Sequence, residues 1–165
     1  MPRPDGQLTQ VSDLPASGPL ALVADTNVYI NDAAGRLPAA VVAVLDRTIL
    51  FHCSVCTGEI AIGVANGDPS HKGWTKTRDA YADVLGAIPD SRLLVPDASV
   101  WLEAGLVAGT LTRTQGFQPH QRKELLNDAL ILLTAAKAGL AVLTSDRDHY
   151  DLLQQLCPEA RFVFY

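Results

Sequence analysis

Asp25, Glu59, Asp128 and Asp146 are carboxylates set in apolar stretches, where a charge needs a physical reason to be. Asp25 directly follows Leu20-Ala-Leu-Val-Ala24, and Glu59 lies in TGEIAIG (57–63). Asp128 lies in LLNDALILLTAA (125–136), and Asp146 closes AVLTSD (141–146), with Asp148 two residues further on. An isolated carboxylate in such surroundings is either desolvated at a cost of several kcal/mol or kept protonated. Each therefore calls for a cation, a network of donors or a water-filled cleft. At about 100° per residue, Leu125, Ala129, Leu132, Leu133 and Ala136 form one face of a helix, and Ile131 and Ala135 lie on the side that Asp128 occupies.

Taken singly, each acid also has a plainer reading. Asp128 can bond a backbone amide or an arginine, Asp25 can cap a helix beginning at Thr26-Asn27, and Asp146 can form a cap or Asx-turn. Caps do not, however, require acids at neighbouring strand ends together with buried acids on two helices. Carboxylates 4–5 Å apart repel by roughly 3–4 kcal/mol per pair at an effective dielectric of about 20. A divalent cation or shared protons must offset that repulsion. An all-oxygen set suits Mg2+ or Mn2+, which can polarise a phosphodiester and stabilise a leaving oxygen.

The elements that would position these acids alternate between strand and helix. Leu20–Ala24, Thr48–His52, Leu93–Val95, Leu140–Leu143 and Arg161–Tyr165 read as strands, the best of them as short apolar runs buried on both faces. Helices are expected over 38–47, over 57–65 with Thr57 as cap, over 70–88, and from Asp97 to about Leu111. Residues 113–118 are expected as a loop. A long helix follows, with Pro119 near its first turn and Gly139 as its C-cap, and then a short helix over 150–156. The pattern predicts a doubly wound, parallel α/β sheet, in which strand ends line one crevice and Asp25 and Asp146 converge. Residues 1–19, with four prolines and two glycines, read as a flexible or loosely docked extension, leaving one domain over 20–165.

Composition sets limits. In 165 residues, 48% are hydrophobic and 19% charged, so a core is available and global disorder is excluded. The net charge of −5 argues against nonspecific duplex binding through a broad basic face. Three cysteines imply no disulfide framework. No stretch reads as a membrane span or a signal sequence, so a reducing, cytoplasmic setting is expected.

The segments V-A-D-T-N-V-Y-I (23–30), Ser54-x-x-x-x-Glu59, N-D-A-L-I (127–131) and L-T-S-D-R-D (143–148), in this order, resemble the PIN-domain ribonucleases. They are similar in particular to the VapC-like toxins of type II toxin–antitoxin pairs. The resemblance covers Leu20 to Tyr165. It implies a three-layer α/β/α fold with a central, mostly parallel sheet of four to five strands. It also implies Mg2+- or Mn2+-dependent endoribonuclease activity leaving 5′-phosphate and 3′-hydroxyl ends. Asp25, Glu59, Asp128 and Asp146 would be the catalytic, metal-binding carboxylates, with Thr26, Asn27, Thr144 and Ser145 as polar support. The family's Asp-aromatic pair reads His149-Tyr150 here, and an acid stands earlier, at Asp148, either as a further ligand or facing solvent. Lys72, Lys76 and Arg78, or Arg113, Arg122 and Lys123, would guide RNA or form solvated faces. A small antitoxin and a homodimer are the implied partners. The stripe Trp74, Tyr81, Leu85, Ile88 is either the antitoxin's contact surface or ordinary core.

Other chemistries fit less well. Cys53-x-x-Cys56 beside His52 lacks the further ligands of a structural zinc site, only Cys157 and scattered histidines being left. No P-loop, G-x-G-x-x-G or G-x-S-x-G sequence is present. A haloacid-dehalogenase-like phosphatase would need a second Asp where Asn27 stands. A housekeeping RNA-processing nuclease without antitoxin and a non-catalytic module binding RNA or protein remain open alternatives.

Overall fold

The computed structural model describes residues 1–118 and 120–165, so the placement of Pro119 lies outside the described residues. Five strands form one sheet: β1 (Leu20–Ala24), β2 (Thr48–Cys53), β3 (Leu93–Leu94), β4 (Ala141–Thr144) and β5 (Arg161–Phe164). Their order is β3-β2-β1-β4-β5 and every pairing is parallel. Around the sheet, in a three-layer α/β/α arrangement, run α1 (Thr26–Ala33), α2 (Ala39–Leu45), α3 (Ser54–Ala65), α4 (Trp74–Gly86), α5 (Ala98–Gln115), α6 (Gln121–Lys137) and α7 (Arg147–Leu156).

The central strands are buried at consecutive positions, Leu22-Val23-Ala24 on β1 and Val142-Leu143-Thr144 on β4. Such burial on both faces is why they read as continuous apolar runs rather than alternating ones. β1 lies between β2 and β4, and the chain leaves β1 towards β2 but returns beside it as β4. The connections after β1 and β4 therefore diverge, and a crevice opens at their carboxyl ends. Asp25 and Asp146 flank that crevice, the Asp25 amide donating to the Leu143 carbonyl at 3.0 Å.

α6 supplies the centre of the core, with Leu125 and every residue from Ala129 to Ala135 buried. It ends as expected: Gly139, at φ +73°, takes the left-handed turn that frees the chain for β4. α5 starts where Asp97 accepts from the amides of Ser99 and Val100. It runs past the expected end at Leu111, because the first residue suited to a left-handed exit is Gly116, at φ +70°. α3 begins at Ser54, three residues before the expected Thr57 cap; the Thr57 hydroxyl donates to the Ser54 carbonyl instead of accepting from an amide. Helix α1 follows Asp25 directly, as the cap reading of that residue allows, and only Val28 and Tyr29 of it are buried.

Residues 1–19, expected as a flexible or loosely docked extension, are docked against the domain. Leu8 and Val11 are buried, and Gln10 bridges Phe164 at the β5 edge. Arg3 reaches the fully buried Asp151 of α7 twice, through its amide and its Nε, both at 2.6 Å. Arg147 Nε donates to Asp5 at 2.5 Å, and its Nη2 donates to the Arg3 carbonyl. The segment is thus a strap across α7 and β5. These partners lie more than 140 positions away along the chain, beyond the reach of any local pattern, while Arg47 of the α2–β2 turn donates to the Pro15 and Gly18 carbonyls.

Candidate active site

Each strand-end acid performs two tasks with two oxygens. Asp25 is the N-cap of α1: Oδ1 accepts from the Thr26 amide at 2.7 Å. Its Oδ2 turns into the crevice and accepts from Thr144 Oγ1 at 2.7 Å and Asn27 Nδ2 at 2.5 Å. Asp146 is the N-cap of α7: Oδ1 accepts from the His149 amide at 3.1 Å, while Oδ2 faces the His149 ring. The cap reading and the cluster reading of these acids are therefore compatible.

The helix acids meet them from either side. Glu59 on α3 accepts from Asn127 Nδ2 at 2.7 Å and from the Thr26 hydroxyl, tying α3 to α6 and α1. Asp128, the next residue on α6, holds His149 Nδ1 at 2.8 Å through Oδ2, and Asp146 Oδ2 stands 3.3 Å from the same nitrogen. Around them, Asn27 Nδ2 also donates to Thr144 Oγ1 at 3.1 Å, and Thr144 Oγ1 accepts from the Asp146 amide at 2.8 Å. One connected network thus spans β1, β4 and the starts of α1 and α7.

Electrostatics reports the same convergence. Burial above all, and then the negative charge of Asp128, raise the Asp25 carboxyl well above the usual range, Glu59 adding to the effect against the donors Thr144 and Thr26. Burial likewise raises Asp128, with Asp146 and Glu59 pushing the same way and His149 pulling it down. His149 is pushed up to about 9, chiefly by its hydrogen bond to Asp128 and against its own burial. The four acids therefore share one field, which a cation would relieve.

The donor set fits such a cation. Ligand atoms of Asp128, Asp146 and His149 lie within 4.8 Å of one another. Beside them the Tyr150 hydroxyl, wholly buried, finds no hydrogen-bond partner of acceptable geometry among the described residues. The charges acting on it most are Asp25 and Asp128. Carboxylates with one imidazole suit Mg2+ or Mn2+; Asp25 and Glu59 lie outside this group of three.

Several expected participants take other places. Asp148 is 67% exposed and paired with Arg147 at 2.5 Å, outside the group. Ser145 contributes its main-chain amide, which donates to Asn27 Oδ1 at 3.0 Å. Arg113 and Arg122 line a cleft with Gly105, Gly109 and Thr112 on the α5–α6 side, and Lys123 is exposed nearby. Lys72 and Lys76 are exposed, while Arg78 is occupied by Asp79 and stacks over Trp74 at 5.1 Å. Trp74, Tyr81 and Leu85 are half-buried on α4. Cys53 and Cys56 are buried free thiols. Asn127 and His149 are the participants not singled out from sequence. An Asp-x-x-His spacing at a helix start, which places both side chains on one side of the first turn, is the signal that would have found His149.

The arrangement defines a class: an α/β protein with a carboxylate-lined crevice at the switch point of a parallel sheet. A match to the PIN domain family covers residues 22–153, and the chain belongs to that family, a family of nucleases. No curated protein matches the chain. Among solved structures, a chain of FitAcB from Neisseria gonorrhoeae is 22% identical with TM-score 0.60, over 87% of this chain and 96% of that one. A chain of VapBC-5 from Mycobacterium tuberculosis, a member of the VapBC family of toxin–antitoxin systems, is 18% identical with TM-score 0.58, over 89% and 100%. A chain of VapBC2 from Rickettsia felis, solved bound to a DNA fragment from its promoter, is 14% identical with TM-score 0.59, over 88% and 99%. These likenesses establish the shared fold.

Proposed function

We propose that this chain is a Mg2+- or Mn2+-dependent endoribonuclease and the toxin of a type II toxin–antitoxin pair. The observation that carries the reading is that Asp128, Asp146 and His149 offer ligand atoms within 4.8 Å of one another, Thr144 linking Asp25 to the Asp146 amide and Asn127, next to Asp128, holding Glu59. A divalent cation held there supplies Lewis-acid polarisation of a phosphodiester and lowers the pKa of water. The chain's own residues hold the ligands ready. Thr144 and Asn27 orient Asp25, Thr26 and Asn127 orient Glu59, and α7 carries Asp146 and His149 together. Asp146 and Asn27 open into a depression of about 700 Å3 whose rim includes Arg147, room for an extended phosphate backbone.

RNA as substrate rests on the family resemblance together with the exposed cations Arg113, Arg122 and Lys123 flanking α5 and α6. A small antitoxin as partner is supported by the toxin–antitoxin complexes that share the fold. The exposed Trp101, Leu102 and Leu106 on α5 offer an apolar face for a homodimer. Among the described residues no helix is long and apolar enough to cross a membrane, and a cytoplasmic site of action belongs to the same reading.

The test combines purified protein and cells. Single-stranded RNA is cleaved in Mg2+ or Mn2+, cleavage stops with chelator and with Asp25→Asn, and sequencing of RNA ends after induction maps the sites. Absence of cleavage with both metals, in a sample that binds them, overturns the nuclease. Cleavage without growth arrest, or arrest that the neighbouring small protein does not relieve, overturns the toxin assignment.

A further inference from the structure

We propose that His149 is itself a metal ligand: through Nδ1 it joins Asp128 and Asp146 in a mixed nitrogen–oxygen centre that favours Mn2+ over Mg2+. The inference deepens the proposed nuclease and rests on it. Its geometry is already close to what a small cation needs. Nδ1 stands 2.8 Å from Asp128 Oδ2 and 3.3 Å from Asp146 Oδ2. Adjacent ligands of an octahedral cation with bonds of about 2.1 Å stand about 3 Å apart. The donors therefore need little rearrangement.

The ring is held rather than free. His149 sits in the first turn of α7 with its amide on Asp146 Oδ1, and Phe117 packs edge-on against the imidazole at 5.5 Å and 89°. No other cation serves these acids. Among the described residues, the lysine and arginine ion pairs are Arg3–Asp151, Arg78–Asp79, Lys137–Asp97 and Arg147 with Asp5 and Asp148. Among the described residues His149 is the one basic group on Asp128 and Asp146, so a metal ion arriving there meets an imidazole it must either displace or bind. Displacement would have to break the Phe117 contact, whereas binding keeps it in place. An imidazole nitrogen contributes more affinity for Mn2+ than for Mg2+, which prefers oxygen.

The experiment is pulsed EPR on the full chain loaded with one equivalent of Mn2+, prepared with natural and with 15N-labelled histidine. The expected result is nitrogen modulation of a coordinated imidazole, changed by the label and lost in His149→Gln and His149→Asp. Titration should add a 10- to 100-fold loss of Mn2+ affinity, to about that extent, in His149→Gln. In His149→Asp the preference for Mn2+ over Mg2+ should shrink. Wild-type protein that binds Mn2+ without nitrogen modulation overturns the ligand and leaves the nuclease standing. Modulation that persists in both variants assigns the nitrogen elsewhere and also overturns it. Wild-type protein that binds no Mn2+ at millimolar concentration overturns both readings. The wild-type spectra decide the matter even if a variant fails to fold.

Discussion

The two sides of the crevice hold their carboxylates in different ways. On the Asp25–Glu59 side, neutral donors do it: Thr144, Asn27, Thr26 and Asn127 converge on two acids. On the Asp128–Asp146 side a single imidazole faces both acids, and that side is braced from behind by the N-terminal strap through Arg3 and Asp151. Hydroxyl and amide donors orient a carboxyl without supplying a countercharge, so burial still raises Asp25 while its geometry stays fixed. An imidazolium cancels charge, so its side is settled without metal and must change partners when metal binds. The difference divides the labour: one side is fixed by its fold, and the other is responsive.

The largest effect should come from removing a carboxylate on either side. Asp25→Asn and Asp128→Asn should each lower the RNA cleavage rate on the order of 10³-fold; a loss confined to one side would break the comparison. Next comes the strap. Arg3→Ala leaves Asp151 buried and short of its cation, and because Arg3 is itself one-third exposed the cost should be about 2 kcal/mol in chemical denaturation. Hydrogen exchange should then rise in α7 before it rises in α3. On the neutral side, Asn127→Ala removes one donor from Glu59. Steady-state cleavage should fall about 10- to 100-fold, with a stability loss of about 1 kcal/mol.

Proton binding sharpens the contrast further. In the metal-free protein, burial raises Asp25 and Asp128 above their unfolded values, and Asp128 raises His149 to about 9. All three groups bind protons more tightly when folded, so their stabilisation is complete at acidic pH. It declines as pH rises from the carboxylate range through about 9. Thermal melts in chelator should therefore fall towards alkaline pH, and Mn2+ should restore the loss; a melt that rises over the same range contradicts the reading. Smallest of all, Asp148→Asn should alter stability by less than about 0.5 kcal/mol and leave cleavage unchanged, since that acid is exposed and paired with Arg147.

The sheet was legible in the sequence because buried parallel strands announce themselves as apolar runs; β1 falls where Leu20–Ala24 predicts it, β2, β3 and β5 differ by one residue at one end, and β4 is shifted by one residue at both. The four acids were singled out for the converse reason, charge in apolar company, and Asp128 and Asp146 of them share one group with His149. Helix α1 was legible only through the cap reading of Asp25, since Thr26-Asn27-Val28 and Ile30 are poor helix formers and the cap with packing against α3 and β4 selects it. The strap was invisible because its stabilising partners, Asp151, Arg147 and Phe164, lie at the other end of the chain. His149 stood in plain view as a departure from the family pattern. Its meaning depends on Asp128 approaching from α6, which no local window contains.

Anomalous diffraction from crystals soaked in Mn2+ tests the central claim most directly. The account predicts a peak at coordination distance from Asp128 and Asp146, within the crevice that Asp25 borders. A crevice without a peak at millimolar Mn2+, with His149 still bridging Asp128 and Asp146, would contradict it.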